Sequence, residues 1–217
     1  MRAGSSEPCL GVVDEHGPRV DRETAPGDRE IRDALLAILR ESHAGDDDVA
    51  LLEELGLCRG EVRVDVTLVN GTLHGYEIKS DRDSLRRLVR QVALYSAVLD
   101  RATLVVGERH LLDAANVVPP WWEILLANVT PAGIVLTQLR TGQVNKNRDR
   151  RVLVELLWLE DALALLAARN AVRGFRSKPR CDVWNRVCEI YDVDEIAAVV
   201  RERLKARPVR RSARSHA

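Results

Sequence analysis

Between residues 62 and 79 the chain alternates apolar and polar positions in two runs. Val62, Val64, Val66 and Leu68 are separated by Arg63, Asp65 and Thr67, and Tyr76 and Ile78 alternate with Glu77 and Lys79. A period of two marks a half-buried β-strand, and Asn70-Gly71 between the runs is a strong hairpin signal. Both apolar sets fall on even positions. A two-residue Asn-Gly loop would set odd positions beside even ones and send the two sets to opposite faces. One shared core therefore requires a loop of odd length or a one-residue bulge. The expectation is a three-residue loop with Gly71 in the left-handed conformation, with a bulge at Gly75 as the alternative. Asp65, Glu77 and Lys79 then share the face opposite the core.

The flanking patterns extend this hairpin into an α/β sheet. Residues 1–27, rich in Gly, Pro, Ser and charge, read as a flexible leader. A helix follows, with Asp28 as N-cap, Ile31, Leu35, Leu36, Ile38 and Leu39 as its apolar stripe, and Glu30 in the dipole-favoured first turn. HAGDDDV at 43–49 reads as a solvated loop, and VALLEELGLCRG as a short helix or an edge strand. A second helix, about 83–99 and capped by Asp81 or Asp83, buries Leu85, Leu88, Val89, Val92, Leu99 and one face of Tyr95. The apolar run at 102–106 then implies a right-handed crossover and a strand parallel to the second hairpin strand. A short helix is expected at 110–115. The stretch from Trp121-Trp122 through Pro131-Ala132-Gly133 reads as a further hairpin on the sheet, with the tryptophans in packing roles. From about Arg151 the pattern is helical, with short helices around RGFRSKPR that could suit a helix-turn-helix.

Charge divides the chain. Its 33 basic and 33 acidic residues cancel, yet 140–217 holds 18 Lys and Arg against 10 Asp and Glu. That basic third is a modest argument for contact with phosphates. Only four basic residues are lysines (Lys79, Lys146, Lys178 and Lys205), which makes a lysine two positions after Glu77 suggestive. No apolar run is long enough to span a bilayer, and the N-terminal stretch MRAGSSEPCLGVVDEHG, without a continuous apolar core and with early acidic residues, does not read as a signal peptide, so a cytoplasmic protein is expected. Cys9, Cys58, Cys181 and Cys188 lack paired metal-ligand spacing and read as reduced thiols.

Two carboxylates and an ammonium on adjacent strands suit metal-dependent phosphodiester hydrolysis. Hard oxygens suit Mg²⁺ or Mn²⁺, and Lys79 can orient water or stabilise phosphoryl oxygens. An exposed face with one cross-strand ion pair is the plain alternative. Asp65, eleven further residues and then Glu77-Ile78-Lys79 resemble the core motif of the PD-(D/E)XK nuclease superfamily, with Val64 in place of the motif's proline. Gln91 and Tyr95 form a Gln-x-x-x-Tyr element like that of some nucleases of the superfamily. The run GYEIKSDRDSLRRLVRQVALYSAVLDRATLVVG, with Trp121-Trp122 and the basic helical C-terminus, is similar to an uncharacterised group of small bacterial proteins in that superfamily.

The resemblance implies a restriction-endonuclease-like mixed sheet core (αβββαβ) at 28–147, a helical C-terminal extension at 148–207 and a basic tail at 208–217. It implies Asp65 and Glu77 as metal ligands, Lys79 as the residue positioning the nucleophilic water, and Gln91 and Tyr95 as organisers of the site. Glu30 would complete the metal site, with Glu54 and Glu61 competing for that role. The expected function is Mg²⁺- or Mn²⁺-dependent cleavage of DNA, in repair or in defence against foreign DNA. A nuclease-fold module that binds nucleic acid or a partner without catalysis is the alternative. DNA is favoured over RNA, no membrane partner is expected, and the oligomeric state, a homodimer included, is open.

Overall fold

The computed structural model describes residues 25–207. Most of the expected leader and all of the expected tail lie outside the described residues. Residues 25–27, placed in the leader above, belong to the fold: Ala25 is buried, and Gly27 is the N-cap of α1, Asp28–Ser42. The helix starts one residue earlier than a cap at Asp28 would set it. Glu30 accepts the Gly27 N–H at 2.5 Å, and Asp28 is the first helical residue. Ile31, Leu35, Leu36 and Leu39 are buried as expected. Ile38, on the flank of that stripe, is not.

The strands are β1 (Ala50–Leu57), β2 (Val62–Val69) and β3 (Leu73–Lys79). They are followed by α2 (Leu88–Ser96), β4 (Arg101–Val106), α3 (Leu111–Val117), β5 (Glu123–Thr130) and β6 (Gly133–Arg140). All six strands form one sheet in chain order. The β3–β4 and β4–β5 pairs are parallel and the others antiparallel. Four further helices close the chain: α4 (Arg150–Leu153), α5 (Leu159–Ala168), α6 (Arg180–Ile190) and α7 (Val193–Ala206). Among the described residues no helix is long and apolar enough to cross a membrane.

The hairpin closes as its parity required. Val69 pairs with Leu73 across the three-residue loop Asn70-Gly71-Thr72, with Gly71 left-handed (φ 88°), and Leu68 faces His74. There is no bulge at Gly75, which pairs with Thr67. A Cβ there would collide with Leu99 of the α2–β4 connection, so the missing side chain lets that connection sit against the sheet.

The even positions nevertheless do not share one core. Val66 and Leu68 pack with α1, Tyr76 and Ile78, whereas Val64 belongs to the core on the other face and Val62 packs against it. β1 changes face at the same level: Leu51 packs on the α1 side, Leu55 and Leu57 on the other. The interruption lies where Glu54, with a left-handed φ of 54°, stands between the pairs Glu53–Val66 and Leu55–Val64, opposite Asp65. An irregular residue at one level of a paired ladder reverses the pleat beyond it.

Both faces of the sheet are therefore covered, and Leu104, Val105 and Val106 of β4 are all buried, as in a strand flanked by parallel neighbours. The larger cluster runs from Val64, Leu73 and Leu104 through Leu153, Leu166 and Val187 to Leu204. Residues 148–207, read above as an extension, thus share a core with the sheet. Asp100 ties the two regions together. Buried after α2, it accepts the Leu73 N–H at 2.7 Å, pairs with Arg201 of α7 at 3.0 Å and pairs with Arg148.

Other expectations are corrected locally. α2 is shorter than 83–99 and is preceded by a 3-10 turn capped by Ser84, which accepts the Arg86 N–H. Asp81 and Asp83 do not cap it. Asp83 binds Ser80, and Asp81 binds the Arg109 N–H. Val89 is 66% exposed, since it lies on the solvent side of the stripe set by Leu88, Val92 and Tyr95. Trp122 is fully buried and stacks parallel to Tyr95, a packing role as expected. In the 43–49 loop, Asp48 pairs with Lys205 of α7 at 2.5 Å.

On the α1 side a polar chain crosses four strands. The Tyr76 hydroxyl lies 3.3 Å from His74 Nδ1, and His74 Nε2 lies 2.7 Å from Thr103 Oγ1. Thr103 donates to Glu123 at 2.6 Å, and Gln138 donates to the same carboxylate. Burial, with Arg101 adding repulsion, pushes the His74 imidazole down from 6.5 to about 4. The unfolded chain thus takes this proton at higher pH than the fold does. The stability that neutral His74 contributes is complete above about pH 6.5 and is lost as the pH falls toward 4. Thermal melts across that window should show wild type losing more stability than His74→Gln, by a few kcal/mol at most. Parallel losses would mean that His74 is not held neutral.

Candidate active site

After the Val66–Tyr76 pair, the β2–β3 ladder ends and the strands separate. The Ile78 N–H, left without a main-chain partner on β2, donates to Asp65 Oδ2 at 2.8 Å. The pleat reversal at Asp65 and the splaying of the strands together open a cleft of about 640 Å³. Asp65, Glu77, Lys79 and Gln91 all line it, with Asp28, Arg32 and Glu54 on one side and Arg63, Arg87 and Arg90 on another.

Glu77 is the buried floor. Its side chain is 0% exposed, and three donors reach it: Lys79 Nζ and Gln91 Nε2 (2.6 Å) at Oε1, and the Tyr95 hydroxyl (2.6 Å) at Oε2. Lys79 comes from the same strand. Gln91 and Tyr95, four apart on α2, project from one helical face. The Tyr95 hydroxyl also lies 2.5 Å from the Arg63 carbonyl, so one proton is shared between two acceptors. Burial first, and the Glu77 charge next, raise this phenol far above its ordinary value. Gln91 Oε1 is buried with no hydrogen-bond partner among the described residues.

Asp65 is the outer carboxylate. Burial, then repulsion from Glu77, pushes it up from 3.8 to about 7, although the Ile78 N–H and Arg32 pull the other way. Arg32 of α1 is the counter-ion of this wall. Its guanidinium contacts Glu54 at 2.7 Å, Asp28 at 3.1 Å and Asp65 at 3.4 Å.

The residues expected to complete a metal site divide. Glu54 lines the cleft but is engaged with Arg32, and Glu61 stands on the rim bound to Arg90 at 3.0 Å. Glu30 is not in the cleft. Its carboxylate serves the Gly27 N–H, and Asp28, which is the first helical residue rather than the cap, lines the cleft instead. Asp28 and Arg32 line the cleft and were not among the site residues expected from the sequence. Their i, i+4 spacing on one helix face was the available signal.

Hard oxygen donors on Asp65 and Glu77 fit Mg²⁺ or Mn²⁺ chemically. Burial raises Asp65 most, and the Glu77 charge, which a cation between the two would offset, adds to that rise. Among the described residues no three His, Cys, Asp or Glu side chains form a metal-binding group. The protein would thus offer two carboxylates, as Mg²⁺, which keeps several waters, accepts. The described cysteines, Cys58, Cys181 and Cys188, are free thiols.

A family model described as bacteriophage P4 protein cII matches residues 22–214. Protein cII of Enterobacteria phage P4 is 31% identical over 69 residues, which cover 32% of this chain and 26% of that protein. The match thus spans about a quarter of the curated relative. The solved structure of SPO1766, a protein of unknown function from Silicibacter pomeroyi, is similar with a TM-score of 0.41 and 24% identity, over 67% of this chain and 92% of that one.

The clustering of Asp28, Glu54 and Asp65 on one guanidinium generates a stability prediction. Arg32→Gln should cost roughly 1–3 kcal/mol in urea denaturation, because it leaves partly buried carboxylates without their cation. Adding Asp65→Asn should recover part of that loss, a coupling measurable in a double-mutant cycle. Strictly additive effects would show that Arg32 does not act through Asp65.

Proposed function

The chain belongs to the bacteriophage P4 protein cII family, and from its cleft we propose a nuclease that hydrolyses phosphodiester bonds in DNA with Mg²⁺ or Mn²⁺. The carrying observation is the meeting of Asp65, Glu77 and Lys79 in one cleft, with the Asp65 carboxylate feeling the charge of Glu77. The order α1-β1-β2-β3-α2-β4 supports the finer reading of the fold as a restriction-endonuclease-like core.

In this reading Asp65 and Glu77 hold the metal, which supplies Lewis-acid neutralisation of the charge that develops on the phosphate. Lys79, fixed by Glu77, keeps a compact positive charge beside the attacked phosphate and orients the nucleophilic water. Gln91 and Tyr95 act on Glu77 rather than on the substrate and are positioning residues. Arg63 and Arg87 on the cleft wall, with no acidic partner among the described residues, suit the flanking phosphates.

One observation favours a second reading, a nucleic-acid-binding or regulatory module of nuclease fold without catalysis. Arg32 already engages Asp65, and Glu77 already receives three donors. The experiment that separates the two readings is cleavage of branched, nicked, single- and double-stranded DNA with Mg²⁺ or Mn²⁺. Wild type should cut, and Asp65→Ala and Lys79→Ala should lose about 10²- to 10³-fold or more in rate. Lys79→Arg keeps the charge, yet its planar, larger guanidinium does not reproduce the ammonium, so most turnover should be lost while Mn²⁺ affinity stays near wild type. No metal-dependent cleavage of any substrate, or equal cleavage by wild type and both alanine variants, would favour the second reading.

A further inference from the structure

The basic rim of the cleft continues beyond the cleft. Arg59 directly precedes Gly60 and Glu61, both of which line it, and its guanidinium, paired with Glu155 at 3.1 Å, stands 5.5 Å from the centroid of the Trp184 ring. Arg180, the first residue of α6, stands 5.5 Å from the same ring. Trp184 is 6% exposed, so the core holds the ring that joins the two cations. Arg180 also ends the α5–α6 connection, which carries Arg173, Arg176 and Lys178 and no acidic residue. These three side chains are exposed and have no ion pair or hydrogen-bonded partner among the described residues.

The connection is braced. Val172 and Phe175 pack against the larger core, Phe175 N donates to Val172 O at 3.0 Å, and Lys178 N donates to Phe175 O at 3.1 Å. Most arginines of the helical region are spent inside the protein. Arg148 and Arg201 hold Asp100, Arg169 pairs with Glu195, and Arg203 pairs with Asp161. Three exposed cations on a braced backbone, without an acidic partner among the described residues, repel one another, and a polyanion relieves that repulsion while releasing its own counterions.

We infer that Arg173, Arg176 and Lys178, joined to the cleft rim through Arg180, Trp184 and Arg59, form a track for the DNA phosphate backbone as it leaves the cleft. The direction of the track rests on the nuclease reading of the cleft. The phosphate contact itself does not.

The test uses the full chain and the triple variant Arg173→Ser, Arg176→Ser, Lys178→Ser, whose exposed positions leave the core untouched. Fluorescence anisotropy would follow binding to a labelled mixed-sequence duplex of about 30 base pairs, in EDTA so that nothing is cut, across a salt series. With three phosphate contacts removed, Kd should rise about tenfold or more, and the log–log salt slope should fall by about two to three. An unchanged Kd and slope, or no binding by wild type, overturns the proposal. Displacement of the duplex by poly-glutamate as effective as by unlabelled DNA would assign the surface to an acidic protein and overturn it too. If Asp65→Ala cleaves like wild type while the triple variant still loses binding, the reading of the cleft fails and the phosphate surface stands.

Discussion

A carboxylate with no exposure to water organises this protein. Removing the Glu77 charge from solvent costs several kcal/mol unless donors replace the lost hydration, and the fold supplies three. Lys79 comes with β3 itself, but Gln91 and Tyr95 must be brought by α2. Satisfying Glu77 therefore fixes the position and rotation of α2 on the sheet. Tyr95 then fixes Trp122 through parallel stacking, and with it the entry to β5. Gly75 and Leu99 set how closely the chain after α2 approaches the sheet. Site and core are thus one packing problem.

The second constraint is geometric. An uninterrupted β2–β3 ladder would have buried the Ile78 N–H in an ordinary strand bond and left Asp65 on an open face. The irregular backbone at Glu54, opposite Asp65, changes the pleat, and the carboxylate takes over a hydrogen bond that a strand would have made. The result is an outer carboxylate held against the main chain and an inner one held by side chains, close enough to repel each other.

Much of this was legible in the residues. The parity of the apolar positions called for an odd loop or a bulge at Gly75, and the three-residue loop is the solution that sets Leu68 against His74 and Val66 against Tyr76. The apolar run of β4 and the helix before it required a parallel pairing with β3. The pleat reversal was not legible, since Val62 to Leu68 alternate without a flaw and the cause lies at Glu54 on the neighbouring strand. Nor was the place of Asp28, because an N-cap carboxylate is expected to serve its own helix, and only the cap at Gly27 leaves it to pair with Arg32 in the cleft. Gln91 and Tyr95 entered through a resemblance. Their burial on Glu77 gives them a physical reason that periodicity could not supply, since Gln91 is polar and buried.

The knot at Asp100 has a consequence in time. Its partners lie far downstream: Arg148 is 48 residues on and Arg201 is 101 residues on. While the chain is being made, the sheet and α2 are complete long before α7 exists, and until then this carboxylate lacks one of its two guanidinium partners. The knot at Asp100 is therefore closed only by α7. A half-made chain holds its strands together around a charge that still needs water, and the arrival of α7 lets that water leave.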